Sequence, residues 1–547
     1  MGYFKSAFHY LFPRFSANRA EARLRLMRIG HAEKATSALF GGNGGASYTG
    51  ASNKASMRFW ATSSSDADSD LLYELPRLRD RSQDLYRNSP PARGVIKRRT
   101  VGAVGSGLRV RATIDRTLLR LMEDQARAWE DAAEREFRLW SDSRECDFTR
   151  RLTFNEMQIL SMTSQETRGD CFATLFWQER DGVPYDLRVQ LIEADRVCNP
   201  NFMSDDETIA GGIEKDKDGI PIAIHVRTVH PGNTISTKLA EWKRIPIYGD
   251  KTGRRQVLHL MEFERIDQSR GEPLLAPVIE LLKQLTRYSS AELTAAVVNA
   301  VLAVFIKRPL EGETTSGQTV SYSDEEKAKW ENRDMELGAG TCVEGAPGEE
   351  MQTISANRPN AQFDPFFVAC IKQIGMAIGV PFEILLQHFS SSYSASRAAL
   401  LEFTKYIKTV RAWFIGNFCQ PVYEEFLTEA VIKGRLYAPG FLSDPIIRAA
   451  YCRAEWMGPG AGMIDPVKEV DAAWKKVLYG FSTFGRETAE ISGTDFEQTT
   501  YTRSEEFNLL AKFKNLFDVF TTMYGGANTG QPPEYPSDMD EGQSNVK

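Results

Sequence analysis

The apolar positions of the chain recur at helical spacing in three long stretches. The first covers residues 121–140, where an apolar side chain comes every three or four residues, as on one face of a helix. The second covers residues 273–306 and predicts one helix about 50 Å long. The third opens near Ser394 and ends before Gly434, and Pro421 is expected to kink or divide it. Helices of this length suit a structural support or an oligomeric interface better than a compact enzyme.

Between the first two helical stretches the pattern changes to that of strands. Residues 171–193 and 211–229 each contain two β-rich runs around an Asp-Gly turn, which is the strongest short-range signal for a hairpin. Helices and hairpins together predict an α/β or α+β arrangement for this part, and α+β is the class that we expect for the whole chain. With 547 residues, of which 42% are hydrophobic, the chain has enough apolar material for a large buried core.

The stretch "RNSPPARGVIKRRTVGAVGSGLRVRATIDR", residues 87–116, combines basic side chains with a cluster of glycines. The order Gly-x-x-Gly-x-Gly is neither that of a P-loop nor that of a dinucleotide-binding turn. Ser89 instead suits the cap of a helix with two prolines in its first turn, and the glycines suit the end of that helix. Residues 108–114 alternate as a strand does. The segment is therefore predicted to be a helix, a turn and a strand.

Charge is distributed unevenly along the chain. The 67 basic and 73 acidic side chains leave a formal net charge of −6, which argues against a protein that grips DNA over a broad surface. Residues 77–116, however, hold 11 Arg or Lys against three Asp, a local excess of +8. A solvated face would explain this excess, and so would contact with an acidic partner, either nucleic acid or a neighbouring subunit. The candidates for such a contact are Arg93, Lys97, Arg98 and Arg99.

The sequence offers no supported catalytic, metal or cofactor site. His225 and His230 are five apart on a predicted strand and should face opposite sides, and neither has an E-x-x-H companion. The group "EKDKDG", residues 214–219, lacks the chelating glutamate of a calcium loop and is predicted to be a hairpin turn. The most apolar run, residues 293–306, is shorter than the roughly 20 residues that cross a bilayer. We therefore expect no enzymatic activity, no cofactor and no membrane association.

Several stretches follow one another in a recognisable order over most of the chain. They are "RSQDLYRNSPPARGVIKRRTVGAVGSGLRVRA", "GDCFATLFW", "LIEADRV", "GIEKDKDGIPIAIHV", "VLHLMEFERIDQSRGEPLLAPVIELLKQLTRY", "GMAIGVPFEILLQHFSSSYSASRAALLEF" and "DPVKEVDAAWKKVLYGFST". In this order and spacing they resemble the portal proteins of tailed bacteriophages, specifically the lambda-type family. The chain departs from the family pattern at Glu272, before the proline of "RGEPLLAPVI", and in the variant loop "QHFSSSYSASRAAL".

The resemblance implies a portal-protein fold and a homo-oligomer of twelve subunits at one vertex of the capsid. Double-stranded DNA would enter through its central channel during packaging and leave during infection. The implied partners are the terminase, the major capsid and scaffold proteins, and the head-completion or tail-adaptor proteins. The protein would assemble in the host cytoplasm and end in the virion, and the ring itself would hydrolyse nothing.

The regions of the portal family carry over to this chain coarsely. They are a flexible N-terminal arm at 1–70, a wing-like α/β region with clip elements at 71–272, a stem or channel helix with tunnel-side elements at 273–390, a helical wing or crown-like region at 391–524 and a disordered tail at 525–547. The DNA-channel candidates, on or just beyond the long helix, are Lys283, Arg287, Lys307 and Arg308. The small side chain of Ala300 marks it as a candidate for contact between subunits.

Two other functions stay open at this point. The main alternative is a nucleic-acid-binding enzyme or adaptor that grips its substrate with the basic segment 77–116, and a lesser one is a non-viral structural ring subunit. A Walker motif or a cluster of metal-binding carboxylates would favour the enzyme, and the sequence contains neither.

Overall fold

The computed structural model describes residues 64–235, 239–301, 304–306, 311–312, 314–315, 318–325, 342–344, 362–389, 392–460 and 465–512. The chain divides into two units, Met1–Ser65 and Asp66–Lys547, and the elements given below belong to the second unit. The predicted arm lies outside the described residues up to position 63, and the predicted tail 525–547 lies outside them entirely.

The described residues combine long helices with short, mostly antiparallel sheets, which confirms the predicted α+β class. The α-helices are α1 (Ala67–Leu71), α2 (Leu75–Asn88), α3 (Pro90–Ala103), α4 (Arg116–Leu119), α5 (Glu123–Ser141), α6 (Phe154–Arg168), α7 (Ile279–Val301), α8 (Phe363–Ile378), α9 (Phe382–Leu386), α10 (Tyr393–Phe414), α11 (Gln420–Ile432), α12 (Pro445–Tyr451), α13 (Pro466–Leu478), α14 (Phe484–Ser492) and α15 (Phe496–Lys512). The strands are β1 (Arg109–Ala112), β2 (Asp170–Trp177), β3 (Leu187–Glu193), β4 (Ile209–Ala210), β5 (Ile213–Lys215), β6 (Pro221–Arg227), β7 (Trp242–Pro246), β8 (Val257–Met261), β9 (Val304–Ile306), β10 (Thr314–Thr315), β11 (Gln318–Thr319), β12 (Cys342–Glu344) and β13 (Ala454–Met457).

Both predicted hairpins are present. In the three-stranded sheet, with the order β3-β2-β8, β2 pairs with β3 so that Cys171 lies opposite Glu193. In the four-stranded sheet, with the order β4-β5-β6-β7, β5 pairs with β6 so that Ile213 lies opposite Ile224. The helix predicted over residues 121–140 is also present, as α5.

The helix observed in the second stretch is shorter than the predicted range, residues 273–306. Ala276–Val278 form a 3₁₀ turn, and α7 begins only at Ile279. Pro277 explains this start, because proline fits the first turn of a helix but not its interior. At the other end, Val304–Ile306 form β9, which pairs in parallel with β12. Strand pairing thus overrides the helical period, and the 23 residues of α7 span about 35 Å and not about 50 Å.

Pro421 divides the third helical stretch, as predicted. α10 ends at Phe414, Ile415–Cys419 form a π-helical turn, and α11 begins with Pro421 in its first turn. Proline has no N–H to donate, and its ring clashes with the carbonyl four residues earlier in a regular helix. The wider turn before Pro421 accommodates both effects.

The largest hydrophobic cluster joins distant parts of the chain. It buries side chains of α5, α6, β2, β3 and β8 together with side chains of α10, the π-helical turn and α11. The Phe137 ring of α5 lies edge-on to Phe154, Tyr423 and Phe426, with centroid distances of 5.8, 5.2 and 5.2 Å. Strand β1 likewise pairs with β13. Residues beyond 400 therefore complete a core that residues before 262 begin.

A second cluster positions the long helix against the basic segment. Leu282 and Leu285 of α7 pack with Ile374 of α8 and with Ile96 of α3, and all four side chains are buried. The surface of the basic segment and the long helix therefore belong to one packed body.

Candidate functional site

The basic segment folds as predicted. Helix α3 ends in a turn in which Gly105 and Gly107 have φ values of +61° and +118°, and strand β1 follows. Ser89 occupies the N-cap position with an extended backbone, but its side chain does not bond to α3. Its hydroxyl accepts a hydrogen bond from Thr286 Oγ1 of α7 at 3.2 Å. The start of α3 is thus tied to the long helix.

Three of the four basic candidates on α3 reach the surface. Arg93 and Lys97 are exposed, and Arg98 is half-buried. The Arg93 guanidinium lies 5.5 Å from the ring centroid of Tyr86 on α2, within the range of a cation–π contact. These three side chains remain available to a partner.

Arg99 differs from the other candidates because it is buried, with 1% of its surface exposed. Its Nε lies 3.4 Å from Glu166 of α6, and its Nη2 pairs with Glu262. Burial raises the pKa of Glu166 to about 8, because the loss of hydration outweighs the attraction of Arg99. The nearby charge of Glu262 adds to the rise. This geometry corrects the expectation for Arg99: its guanidinium joins α3 to the interior and does not face a partner.

A second buried charge group surrounds Asp170, the first residue of β2. Arg79 of α2 and Arg270 donate to its Oδ1 at 2.9 and 3.1 Å, and His259 Nε2 lies 3.3 Å from its Oδ2. Although burial opposes ionisation, the two guanidiniums hold the pKa of Asp170 well below its usual range. Arg79 pairs with Asp170 inside the fold, and Arg99 is buried between Glu166 and Glu262, so the surface excess of the basic segment is smaller than the sequence indicates.

Two glycines allow the Asp170 group to form. Gly169 has a φ of +89°, and a Cβ placed on it would lie 2.2 Å from the carbonyl oxygen of Gly271. The reverse holds for Gly271, whose Cβ would lie 2.1 Å from the oxygen of Gly169. The two backbone segments thus cross in close contact at Gly169 and Gly271. Arg270, next to this crossing, donates to the carbonyls of Ala194 and Val197 at 2.8 and 2.7 Å. The crossing therefore joins α6, β2 and the segment that leads to α7.

The histidine prediction needs one correction. His230 was expected on a strand, but β6 ends at Arg227, and His230 Nε2 lies 3.5 Å from Glu193 and 3.6 Å from Asp195. Arg168 pairs with both carboxylates, at 2.9 Å to Glu193. The ion pairs account for this cluster, and we assign no metal to it. The "EKDKDG" prediction of a hairpin turn is confirmed, because Glu214 and Lys215 end β5 and residues 216–219 form the turn that leads to β6.

The channel candidates lie partly within the described residues. Lys283 and Arg287 are exposed one turn apart on α7, and Lys283 Nζ lies 3.7 Å from Asp84 Oδ2 of α2. Lys307 and Arg308 lie outside the described residues.

The last turns of α7 carry the interface candidate. Ala300 belongs to the helix, but its side chain is outside the described part of the structure. Leu293, two turns earlier, is 68% exposed, and Val297, one turn earlier, is 54% exposed. An apolar face of α7 thus lacks cover within the described chain.

A family model described as "Phage portal protein, lambda family" matches residues 53–411, well over half of the chain. The chain belongs to this family. Portal protein B of Escherichia phage lambda is 24% identical to it over 462 residues, which cover 81% of this chain and 85% of that protein. The portal protein of Escherichia phage N15 is 24% identical with coverages of 81% and 86%, and the probable portal protein of Halomonas phage phiHAP-1 is 24% identical with coverages of 75% and 76%.

Two solved structures also match this portal chain. "Neck of native GTA particle computed with C12 symmetry" is 14% identical with a TM-score of 0.36, and it covers 74% of this chain and 92% of its own. "Virion of native gene transfer agent (GTA) particle" is 15% identical with a TM-score of 0.37 and coverages of 76% and 92%.

The family match confirms the prediction of a phage portal protein, which is a component of the phage particle. Nothing in the geometry of the basic segment favours the alternative of a nucleic-acid-binding enzyme or adaptor. Among the described residues of this portal chain, no helix is long and apolar enough to cross a membrane.

Sequence reasoning missed the buried group around Asp170. Its signal is a repeated pattern, Arg168-Gly169-Asp170 and Arg270-Gly271-Glu272, in which an arginine and an acid flank a glycine. The repeat could have suggested two backbones that cross at glycines with charges alongside. It could not have identified which arginine pairs with which acid in this portal protein.

Proposed function

We propose that this portal protein assembles into a ring of twelve subunits at one vertex of the capsid. Double-stranded DNA passes through the central channel during packaging and again during ejection. The observation that carries the proposal is the family match over residues 53–411. The exposed apolar side chains of α7, Leu293 and Val297, agree with burial between subunits, because large exposed apolar patches mark interaction sites.

In this proposal the ring is a conduit that does not hold DNA. The subunit charge of −6 becomes about −72 over twelve subunits, and such a body repels a polyanion at long range. Lys283 and Arg287, and Lys307 and Arg308 after the helix, touch the phosphate backbone transiently. The surface residues of α3 contact a neighbouring subunit or a partner protein; they are Arg93, Lys97 and Arg98.

The proposed partners are the terminase during packaging, the major capsid and scaffold proteins during assembly, and the head-completion or tail-adaptor proteins afterwards. Assembly takes place in the host cytoplasm, and the ring becomes part of the virion. Residues 71–272 serve as wing with clip elements, 273–390 as stem and tunnel side, and 391–524 as further wing and crown. The ring catalyses no reaction of its own.

Light scattering of the purified protein tests this proposal. The expected mass is near twelve times 61.5 kDa, with rings in negative-stain images and no ATPase, nuclease or protease activity. A protein that stays monomeric at micromolar concentration would contradict the ring. ATP turnover that follows the protein through repurification would favour the enzyme alternative.

A further inference from the structure

An apolar groove lies between α7 and α8. Its volume is about 380 Å³, and it is lined by Leu281, Gln284, Leu285, Tyr288, Phe366 and Cys370. The amide of Gln284 already donates a hydrogen bond to Glu280 at 3.1 Å. Phe366 is 52% exposed, whereas Leu285 and Cys370 are buried. The groove therefore suits apolar side chains and offers little to a charged one.

The last described turns of α7 are apolar and exposed around most of the helix. Leu293, Ala296 and Val297 are exposed, and so is Thr294, whose hydroxyl donates to a carbonyl of the same helix at 2.9 Å. No charged residue occurs from 293 to 301. A helix that is apolar all round is normally buried. We call the two largest of these side chains, Leu293 and Val297, the α7 ridge.

The α7 ridge and the groove lie on different sides of the same helix. The Tyr288 ring packs against Phe366 with centroids 5.3 Å apart, so this side of α7 faces α8. With 3.6 residues per turn, Leu293 and Val297 lie about 140° and about 180° further round the helix than Tyr288. The ridge of a chain therefore points away from the groove of that chain and cannot fill it.

A second copy of the chain carries the part that each surface lacks. The side chains of the ridge are four residues apart, and each wall of the groove repeats this spacing, with Leu281 and Leu285 on α7 and Phe366 and Cys370 on α8. Rows of side chains with this spacing interlock when helices pack. Two unlike surfaces on different sides of one subunit can repeat their contact from copy to copy and close into a ring.

We propose that the α7 ridge of one subunit docks in the α7–α8 groove of the neighbouring subunit. Each subunit then gives its ridge to one neighbour and its groove to the other. The contact removes Leu293, Val297 and Phe366 from water at once, which is favourable for apolar side chains. The proposal rests on the proposed ring and specifies one of its subunit contacts.

Disulfide cross-linking between two kinds of chain tests this contact. Every chain carries Cys370→Ser, so that the native thiol of the groove cannot react. Chains with Leu293→Cys and chains with Phe366→Cys are assembled together and oxidised, and we expect a covalent dimer on a denaturing gel. A chain with both cysteines should give a ladder of covalent multimers.

The matched control replaces Leu293→Cys with Ala291→Cys. Ala291 is also exposed, but residues two apart on a helix do not share a face. Ala291→Cys with Phe366→Cys should therefore give no dimer, and neither should the chain with Cys370→Ser alone. Cross-links that form equally with Ala291→Cys would show collision between chains and would overturn the contact.

A change of polarity at Leu293 gives a second measurement that needs no new cysteine. Leu293→Gln keeps a similar size but introduces an amide that the apolar groove cannot pair. The concentration at which half of the protein is assembled should therefore rise by about tenfold. Leu293→Met keeps an apolar side chain and should assemble like wild type. Equal assembly of the two variants would show that Leu293 is not buried between subunits.

The remaining outcomes separate this contact from the ring itself. Rings in which Leu293→Cys and Phe366→Cys do not cross-link would overturn the contact and leave the ring intact. A doubly substituted chain with an internal disulfide would show that the ridge reaches its own groove, which also overturns the contact. A wild-type chain that stays monomeric in light scattering would overturn the proposed ring, and the contact with it.

Discussion

The carboxylate of Glu134 on α5 accepts a hydrogen bond from the backbone N–H of Ala112 at 2.9 Å. One turn earlier on the same helix, Glu130 accepts from the N–H of Ile114 at 2.8 Å. Residues four apart on a helix thus match residues two apart on the extended chain, Ala112 at the end of β1 and Ile114 just beyond it, and they occupy both backbone N–H groups. A blocked strand edge cannot pair with another chain. The same arrangement places Glu134 in partly dehydrated surroundings.

The first prediction concerns pH. Burial raises the pKa of Glu134 from 4.5 to about 7, and Asp495 and Asp131 add to the rise. The stabilisation from the protonated form is therefore complete below about pH 4.5 and lost as the pH rises through about 7. Glu134→Gln keeps an oxygen for Ala112 but cannot ionise. We expect the wild-type protein to lose about 1–3 kcal/mol relative to Glu134→Gln between pH 5 and pH 8, measured by urea unfolding.

The matched control for this experiment is Glu123→Gln on the same helix. Glu123 is exposed, and the hydrogen bond and charge of Arg116 hold its pKa below the ordinary value, so it does not titrate near pH 7. The difference between wild type and Glu123→Gln should stay constant from pH 5 to pH 8. If the difference for Glu134→Gln is constant as well, Glu134 does not titrate in this range.

The second prediction concerns the buried group at Asp170. Asp170→Asn conserves shape but removes the buried charge that pairs with the guanidiniums of Arg79 and Arg270. Removing one partner of a buried ion pair costs about 3–5 kcal/mol in the free energy of unfolding. Asp70→Asn is the control, because Asp70 pairs with Arg265 at the surface and should change stability by about 0–1 kcal/mol. Equal urea midpoints for the two variants would contradict the structural role of Asp170.

The third prediction concerns the glycine crossing. Gly169→Ala places a methyl group 2.2 Å from the carbonyl oxygen of Gly271, so one backbone must move and the Asp170 group must open. We expect little soluble protein. Gly182→Ala is the control, since Gly182 also has a positive φ, +75°, but no atom lies within 4 Å of its added Cβ. Gly182→Ala should cost about 1 kcal/mol, and similar soluble yields of the two variants would argue against a tight crossing.

The fourth prediction concerns DNA. Assembled rings should bind duplex DNA weakly between 50 and 200 mM salt, and each phosphate that is firmly neutralised would add about −0.9 to the slope of log affinity against log salt. We expect a shallow slope that becomes shallower in the double variant Lys283→Gln with Arg287→Gln. Nanomolar affinity at the higher salt, or a slope equivalent to about six contacts, would instead indicate a gripping surface and favour the nucleic-acid-binding alternative.

The fifth prediction concerns assembly through α7. Ala300→Glu introduces a charge where we expect close packing between neighbouring helices, and an unpaired buried charge is severely unfavourable. The mass measured by light scattering should fall below that of the wild-type ring. Glu280→Gln, a change in the first turn of the same helix, serves as the control. Variant rings that assemble and melt like wild type would show that Ala300 does not lie at an interface.

The sequence by itself determined the local structure of this protein and its family. The spacing of apolar residues predicted α5, the prolines predicted where α3 begins and where the third helical stretch divides, and the turn residues predicted both hairpins. These signals act within a few residues, because a cap, a proline or a glycine changes the backbone at its own position. The order of motifs along the chain also predicted a portal protein.

Only the tertiary structure decided which residues are inside and which remain free. The sequence predicted Arg99 as a surface cation, but its guanidinium is buried beside Glu166, which is 67 positions away in sequence. Val304–Ile306 continued a helical pattern, but a strand beginning at Cys342 binds it. Helix α13 exposes Val467, Trp474 and Leu478 and buries the small Ala473. Each outcome depends on contacts between distant residues, and the period of a sequence carries no information about which distant residues meet.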